Sequence, residues 1–139
     1  MVAIRPVQAS DLPAISALDA RLTGSEKPAY WQEMLAPGRH FLLAEKEKGA
    51  LAGFIAGEIR AWEFGQPPAG WVFAIQIDPK LRLKGVGTAL FDALVARFRE
   101  NGVTRVRTLV DRKDHTILSF FRAQGMVAGP SLQLDKDLS

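Results

Sequence analysis

The chain has 139 residues, of which 47% are hydrophobic and 24% charged, and it contains no cysteine. This composition is typical of one soluble globular domain, and we predict a single domain over residues 1–139. The lack of cysteine excludes disulfides, thiolate metal sites and cysteine nucleophiles, and we predict no bound metal. The net charge of +3 is mild for a nucleic-acid-binding protein, since the basic residues are spread along the chain.

The N-terminal residues lack the basic region and the roughly 7–15-residue apolar run of a signal peptide. No stretch approaches the ~18 consecutive apolar residues that a membrane-spanning helix needs. We therefore expect a cytoplasmic protein without a membrane partner.

The first third of the chain predicts one strand and two helices. Residues 3–7 are a short strand-like run, and Ser10 and Pro13 are typical of a helix start. Apolar residues recur at helical spacing from there to Gly24, which ends the helix. Residues 28–35 predict a second, shorter helix.

The middle of the chain changes to a strand pattern. Residues 41–44 and 51–56 are apolar runs separated by a charged segment with one glycine, which predicts an antiparallel hairpin whose second strand continues to Trp62. Residues 71–77 form a third apolar run, which we predict to be the most buried strand, and Asp78 and a proline end it.

The last third predicts a helix over residues 86–99, a strand over 105–110, a helix over 116–124 and a closing strand over 132–134. The strand, helix and strand between residues 71 and 110 are long enough for a right-handed parallel crossover. Antiparallel strands followed by one such crossover predict an α+β (mixed α/β) fold, with helices on the faces of one sheet.

A basic turn with two glycines, residues 80–87, joins the strand that ends at Ile77 to the following helix. The first N–H groups of a helix have no intrahelical partner and its dipole is positive there, so the turn favours an anion. A tight turn with solvated cations is the alternative. The turn matches neither of two known nucleotide-binding motifs. The P-loop motif needs a lysine between Gly87 and Thr88, and the dinucleotide-binding motif needs a third glycine where this chain has Leu90.

Residues 82–87, Arg-Leu-Lys-Gly-Val-Gly, resemble the acyl-CoA-binding motif Gln/Arg-x-x-Gly-x-Gly/Ala of the GNAT superfamily of N-acetyltransferases. Residues 120–126 are similar to the family's Phe-Tyr-x-x-x-Gly-Phe block, and residues 4–15 to its usual opening. The resemblance implies a GNAT-like fold, in which a mostly antiparallel sheet is splayed between its fourth and fifth strands and has helices on both faces.

The resemblance also implies acetyl-CoA as co-substrate, held mainly by backbone N–H groups of the turn and by the exposed edge of the fourth strand. Asp114 stands where the family usually has an asparagine that contacts the pantetheine arm. The cofactor-binding residues implied in this way are Ile75, Ile77, Arg82, Leu83, Lys84, Gly85, Val86, Gly87, Thr88, Asp114 and Phe121.

The implied reaction is direct transfer of an acetyl group to a primary amine of a small molecule or peptide, in a ternary complex, since no cysteine is present to carry the acetyl group. Many relatives use a tyrosine as acid where this chain has Phe121, so water or Ser119 is the alternative proton donor. The sequence offers four candidates for the base, namely Glu58, Glu63, Asp78 and His115. Glu58 is our first choice, because a carboxylate embedded among Phe54, Ile55, Ile59 and Trp62 would have a raised pKa. A strand glutamate facing solvent is the other interpretation.

Four aromatic residues map to the family's acceptor-binding regions, namely Tyr30, Trp31, Trp62 and Phe64. Core packing is the alternative role for each. If some of them line the cleft, the acceptor is an amphipathic amine or a peptide end rather than a polyamine.

Two other functions compete with acetyl transfer. Phe121 is compatible with a CoA-binding or regulatory module of the same fold that transfers poorly or not at all. A small nucleic-acid-binding protein is the more distant alternative, because the sequence lacks a dense basic face. Family members are often homodimers, which we carry over as an expectation.

Overall fold

The computed structural model describes residues 2–139, which form two compact units, one ending at Leu109 and one beginning at Val110. The strands are β1 Val2–Pro6, β2 Arg39–Lys46, β3 Leu51–Arg60, β4 Ala69–Ile77 and β5 Val106–Thr108. The α-helices are α1 Leu12–Thr23, α2 Pro28–Glu33, α3 Val86–Glu100 and α4 His115–Ala123. Short 3₁₀ turns lie at Ala9–Asp11, Glu63–Gly65 and Pro79–Leu81.

The first unit is built on one five-stranded sheet with the order β1-β2-β3-β4-β5. The first four strands are antiparallel to their neighbours, and β5 joins β4 in parallel. The helix α3 makes the connection between these two strands, as the strand, helix and strand pattern predicted. The predicted mixed α/β class is confirmed.

The two faces of the sheet carry different helices. On one face, Phe41, Leu43 and Phe54 pack with Ile15 of α1 and Trp31 of α2 in the main core. On the other face lies α3, whose Phe98 closely approaches two strands of the sheet. Successive residues of a strand point to opposite sides of the sheet, so the apolar residues of the strands provide core side chains on both faces.

Two glycines allow α3 to approach the sheet. A Cβ atom at Gly70 would overlap the ring of Phe98, and one at Gly57 would overlap the carbonyl oxygen of Trp71. Neither glycine has a positive φ, so their contribution is the space they leave and not a special backbone conformation. A larger residue at either place would push α3 or a neighbouring strand outward.

The sheet splays between β4 and β5. The two strands pair only from Gly70 to Val72 of β4, opposite Val106 to Thr108 of β5. Beyond Val72, β4 remains paired with β3, but its other edge has no strand partner within residues 2–139. The predicted separation of the fourth and fifth strands is therefore confirmed.

A β-bulge lies where the splay begins. Ala56 of β3 lies opposite Ala74, whereas the next residue, Gly57, lies opposite Val72, so that Phe73 is an extra residue on β4. A bulge bends its strand and increases the local twist. Here it lies directly after Val72, the last residue of β4 that pairs with β5.

Two predictions about burial and extent are wrong. The most buried strand is β3, with six consecutive buried residues, and most of β4 is only half-buried because β5 does not cover its second half. The strand β3 also ends at Arg60, before Trp62, whose backbone turns to a left-handed conformation with φ of 65°.

The second unit contains α4 and an irregular C-terminal segment. Asp114 caps the helix, since its Oδ1 accepts a hydrogen bond from the N–H of Ile117 at 3.1 Å. The predicted closing strand over residues 132–134 is wrong. Leu132 and Leu134 are 83% and 87% exposed and have no strand partner among the described residues, so the alternation of leucines there has no sheet to join.

Candidate active site

The turn between β4 and α3 is built from two left-handed residues. The carboxylate of Asp78 accepts a hydrogen bond from the N–H of Lys80 at 3.0 Å and fixes the first bend. Leu83 then has a φ of 67° and Gly85 a φ of 82°. Only glycine adopts this region without strain, so Leu83 stays there at a cost. Its side chain is fully exposed and makes no compensating core contact.

This conformation leaves a run of backbone donors without acceptors. The first helical hydrogen bond of α3 runs from the N–H of Ala89 to the carbonyl of Gly85, at 3.0 Å. The N–H groups of residues 83–87 donate no hydrogen bond to any atom of residues 2–139. Successive unpaired N–H groups at a helix N-terminus are the arrangement that binds phosphate oxygens. Arg82 and Lys84, both exposed, add positive charge.

The free edge of β4 leads directly into this turn. Ile75 and Ile77 lie opposite Ile55 and Gly53 of β3. The N–H of Asp78 donates to the carbonyl of Ala52 in β3, and the polar groups of successive strand residues point to opposite edges, so those of Ile77 and Ile75 face the uncovered edge. Their side chains are half-buried, as expected of residues that offer main-chain groups to a ligand and side chains to the core. The uncovered edge of β4 and the anion turn thus form one continuous stretch of chain.

Glu58 lies beside a cation and not in the apolar surroundings that the sequence predicted. It is directly opposite Arg39 of β2, and the Arg39 Nε is 3.0 Å from the Glu58 Oε2. On its other side it lies opposite Trp71 of β4. Trp62, expected to cover this carboxylate, is 68% exposed in the following loop. Glu58 is thus the carboxylate of a half-exposed ion pair.

Tyr30 and Trp31 have different roles although they are adjacent on α2. Trp31 is 1% exposed and packs against Phe41 and Phe54, so its prediction as an acceptor-binding residue is wrong. Tyr30 is half-buried, and burial raises the pKa of its hydroxyl, which therefore remains protonated at neutral pH. The charges of Arg39, Asp19 and Glu58 also act on the pKa of this hydroxyl, less strongly than burial does.

The loop between β3 and β4 holds two aromatic side chains in solvent. Trp62 and Phe64 both have positive φ values, of 65° and 50°, and Phe64 is fully exposed. The N–H of Trp62 donates to the carbonyl of Gln66 at 2.6 Å, and Arg60 makes two hydrogen bonds of 2.6 Å to Glu63. Strained residues are retained where surrounding structure fixes them, often at functional sites. Contact of these two residues with an acceptor stays a prediction.

Sequence reasoning missed one buried carboxylate on the core face. Asp19 of α1 is 2% exposed and forms an ion pair with Lys27. The Nε2 of Gln76 lies 3.5 Å from the Asp19 Oδ1, a distance at the long limit of a hydrogen bond. Gln76 is on the free half of β4. A charged residue within the apolar periodicity of α1 was the available signal, because aspartate is rarely buried unless it is paired.

The predicted site residues of the second unit lie on and before α4. Asp114 is exposed and its side chain is used as the helix cap. Ser119 is exposed, and Phe121 is 5% exposed and contacts Phe120 edge to face at 5.2 Å between ring centroids. Their catalytic and cofactor roles stay predictions.

Residues 2–139 contain no group of three or more His, Asp or Glu side chains that could hold a metal ion. In the same part of the chain, no helix has the length and apolar character needed to cross a membrane.

Comparison with protein families matches residues 8–126 to the acetyltransferase (GNAT) family. The match includes the splayed sheet, the anion turn and α3. The chain belongs to the GNAT acetyltransferase family.

Curated relatives match only in part. The chain is 34% identical over 84 residues to mycothiol acetyltransferase of Propionibacterium freudenreichii. This match covers 60% of this chain and 26% of the relative. It is 33% identical over 86 residues to the same enzyme of Thermobispora bispora, which covers 61% and 29%. The matched region thus spans between a quarter and a third of these relatives' length.

Solved structures share the fold over the whole chain. The aminoglycoside 6'-N-acetyltransferase AAC(6')-Ih from Acinetobacter baumannii has a TM-score of 0.84 at 19% identity, covering 100% of both chains. Aminoglycoside N-acetyltransferase AAC(6')-Iy in complex with CoA has a TM-score of 0.87 at 18% identity, covering 100% of this chain and 96% of that one. At these identities the likeness concerns the fold.

Proposed function

We propose that this protein is an acetyl-CoA-dependent N-acetyltransferase that transfers the acetyl group directly to a primary amine. The observation that carries the proposal is the run of unpaired N–H groups at residues 83–87, joined to the uncovered edge of β4. The family supports it, and so does the CoA complex of AAC(6')-Iy, a protein of the same fold.

The turn would bind the diphosphate of CoA through its backbone. The N–H groups of residues 83–87 have no acceptor among residues 2–139, and the space beside Gly85 is open, since no atom lies within 4 Å of a Cβ built there. Arg82 and Lys84 would neutralise the remaining charge. The free edge of β4 at Ile75 and Ile77 would hydrogen-bond the amides of the pantetheine arm, as an added strand does. Acetyl-CoA supplies the thioester, the amine displaces CoA thiolate from its carbonyl carbon, and the chain supplies the position of the cofactor.

The acceptor side of the site would use Glu58. An amine attacks only after it loses its ammonium proton, and a carboxylate within reach can accept that proton. Arg39, 3.0 Å from Glu58, fixes the direction of the carboxylate. The protonated hydroxyl of Tyr30, on α2, would donate a hydrogen bond to the acceptor. Trp62 and Phe64 would contact the acceptor from the loop after β3.

The experiment is a CoA titration that follows the melting temperature of the protein, because a ligand bound only by the native state raises it. We expect Gly85→Ala to raise the Kd for CoA by at least about tenfold, because a methyl group would stand where phosphate oxygens must approach. Gly102→Ala is the matched control: it has a φ of 78° and open surroundings, like Gly85, but lies at the other end of α3. No shift with millimolar CoA would contradict the proposal.

A second function deserves the same assay because of Phe121. Phe121 stands where many members of the family have the tyrosine that serves as the acid, and a phenyl ring donates no proton. A CoA-binding module without transfer would show the thermal shift but release no thiol from acetyl-CoA across a broad panel of amines. Release of CoA thiol in the presence of any amine, above the rate without amine, supports the enzyme.

A further inference from the structure

Four residues form one lateral row across the sheet, each directly opposite the next. Arg39 of β2 lies opposite Glu58 of β3, Glu58 opposite Trp71 of β4, and Trp71 opposite Arg107 of β5. Residues paired in this way have their side chains on the same face of a sheet. Phe41 lies two residues from Arg39 on β2, so the row lies on the face covered by α1 and α2, beyond the core.

The charges of this row are not balanced. Arg39 is paired with Glu58, and the neighbouring Arg60 is paired with Glu63 while its Cζ lies 4.5 Å from the centroid of the Trp71 ring. Arg107 has no carboxylate within 4.0 Å anywhere in residues 2–139, although it is half-buried. The row thus presents one carboxylate on one side of an indole and one uncompensated guanidinium on the other.

The position of the row connects it to the reaction. Arg107 immediately precedes Thr108, the last residue of β5 that pairs with β4, so its side chain stands at the opening of the splay. Glu58, the proposed base, and Arg107 are two strands apart, which corresponds to about 10 Å between their backbones. Arg60 covers one face of the Trp71 ring, so a small molecule that both side chains reach would lie against the part of the ring that Arg60 leaves open.

We infer that the acceptor is an amine that also carries a carboxylate on an apolar or aromatic skeleton, and that Arg107 binds this carboxylate. The inference rests on the proposed function, since it assigns the amine to Glu58. A guanidinium matches a carboxylate with two parallel hydrogen bonds, and an indole face accommodates an apolar skeleton. A polycationic acceptor would instead meet the uncompensated charge of Arg107 and be repelled.

The first experiment measures acetyl transfer to matched amines. L-Phenylalanine and L-phenylalaninamide differ in the carboxylate, and kanamycin represents a polycation. We expect the highest kcat/KM for the free acid. Arg107→Gln should reduce the preference for acid over amide by about tenfold, as for loss of a hydrogen bond to a charged group. Arg99→Gln is the control, because it removes the same charge from α3 on the opposite face of the sheet.

The second experiment separates this inference from the proposed function because it needs no turnover. It measures the Kd of N-acetylphenylalanine and of its amide in the presence of CoA, for the wild type and both variants. Tighter binding of the acid that is lost in Arg107→Gln and kept in Arg99→Gln supports the anion subsite. Equal Kd values, no binding of either compound, or a preference for kanamycin overturns it. Absence of thiol release with every amine contradicts only the proposed function.

Discussion

The side-chain hydroxyl of Thr108 donates a 2.9 Å hydrogen bond to the main-chain carbonyl of Val72, at the last residue pair that joins β4 to β5. This hydrogen bond gives the Val72 carbonyl a partner that it would otherwise lack, because β4 and β5 separate at this point. It thereby sets where the splay begins, one residue before the bulge at Phe73. A hydroxyl on the final residue of a short edge strand thus holds β4 and β5 together at the start of the splay.

Thr108→Val tests this contact with a side chain of nearly the same shape. We expect a loss of about 1 kcal/mol in the free energy of unfolding, measured by urea titration, since a partly buried carbonyl is left unsatisfied. Thr104→Val serves as control, because Thr104 is exposed and precedes β5, and a surface change of this kind stays within about 0.5 kcal/mol. Equal losses in both variants would contradict the role of the Thr108 hydroxyl.

Glu58→Gln tests the assignment of the base. The amide keeps the size of the side chain but cannot take a proton, so we expect kcat to fall by about 10²–10⁴ while the Kd for CoA is unchanged. Glu63→Gln is the matched control, because it removes the carboxylate of the neighbouring ion pair with Arg60. Steady-state kinetics with the amine that releases most thiol is the measurement. A kcat for Glu58→Gln within threefold of the control value would exclude Glu58 as the base.

Local chemistry made part of this molecule predictable. The turn at Arg82 to Gly87 could be predicted from the sequence as a glycine-bearing, basic connection at a helix N-terminus, because consecutive residues of a short motif determine it. The parallel crossover through α3 was equally clear, since a long amphipathic helix between two strands permits few arrangements. The splay followed only from the family resemblance.

Contacts between strands could not be predicted in the same way. The pairing of Glu58 with Arg39 depends on the register of β2 against β3. Its position opposite Trp71 depends on the bulge at Phe73, which no local sequence pattern predicts. Trp31 and Trp62 look alike in sequence, yet one is in the core and the other in solvent, because a helix face buries the first and a left-handed loop residue exposes the second.

His40 makes the stability of the first unit depend on pH. Burial lowers the pKa of its imidazole below 6.5, and the positive charge of Arg97 lowers it further. The unfolded chain therefore binds the proton at a higher pH than the folded one. The contribution of His40 is fully present above pH 6.5 and is lost as the pH falls through the lowered pKa.

His40→Gln should reduce the fall in melting temperature between pH 7.5 and pH 5.0, because the amide does not titrate in this range. The matched control is His115→Gln, since His115 is exposed and is the other histidine of the chain. We expect the control to follow the wild-type pH dependence. A parallel loss in all three proteins would exclude His40 as the source.

The ion pair of Asp19 and Lys27 tests how a buried carboxylate affects stability. We expect the attraction within the pair to stabilise the fold less than leaving Asp19 buried without its cation would destabilise it. Asp19 is enclosed and Lys27 is partly exposed, with side-chain accessibilities of 3% and 37%. Removal of the lysine in Lys27→Met leaves an enclosed carboxylate without its cation, and we expect a loss of about 2 kcal/mol in unfolding free energy. Lys46→Met is the control: its pair with Asp78 spans 3.8 Å with the lysine 40% exposed, so its loss should be under about 1 kcal/mol.

The double variant separates the two contributions. Asp19→Asn placed in the Lys27→Met background removes the uncompensated charge, so it should recover part of the lost stability, although the same change alone is destabilising. The sign of this coupling, obtained from four urea titrations, decides the matter. A double variant less stable than Lys27→Met would mean that Asp19 is needed as a charge for its other neighbour, the Gln76 amide on the free half of β4, and not only as the partner of Lys27.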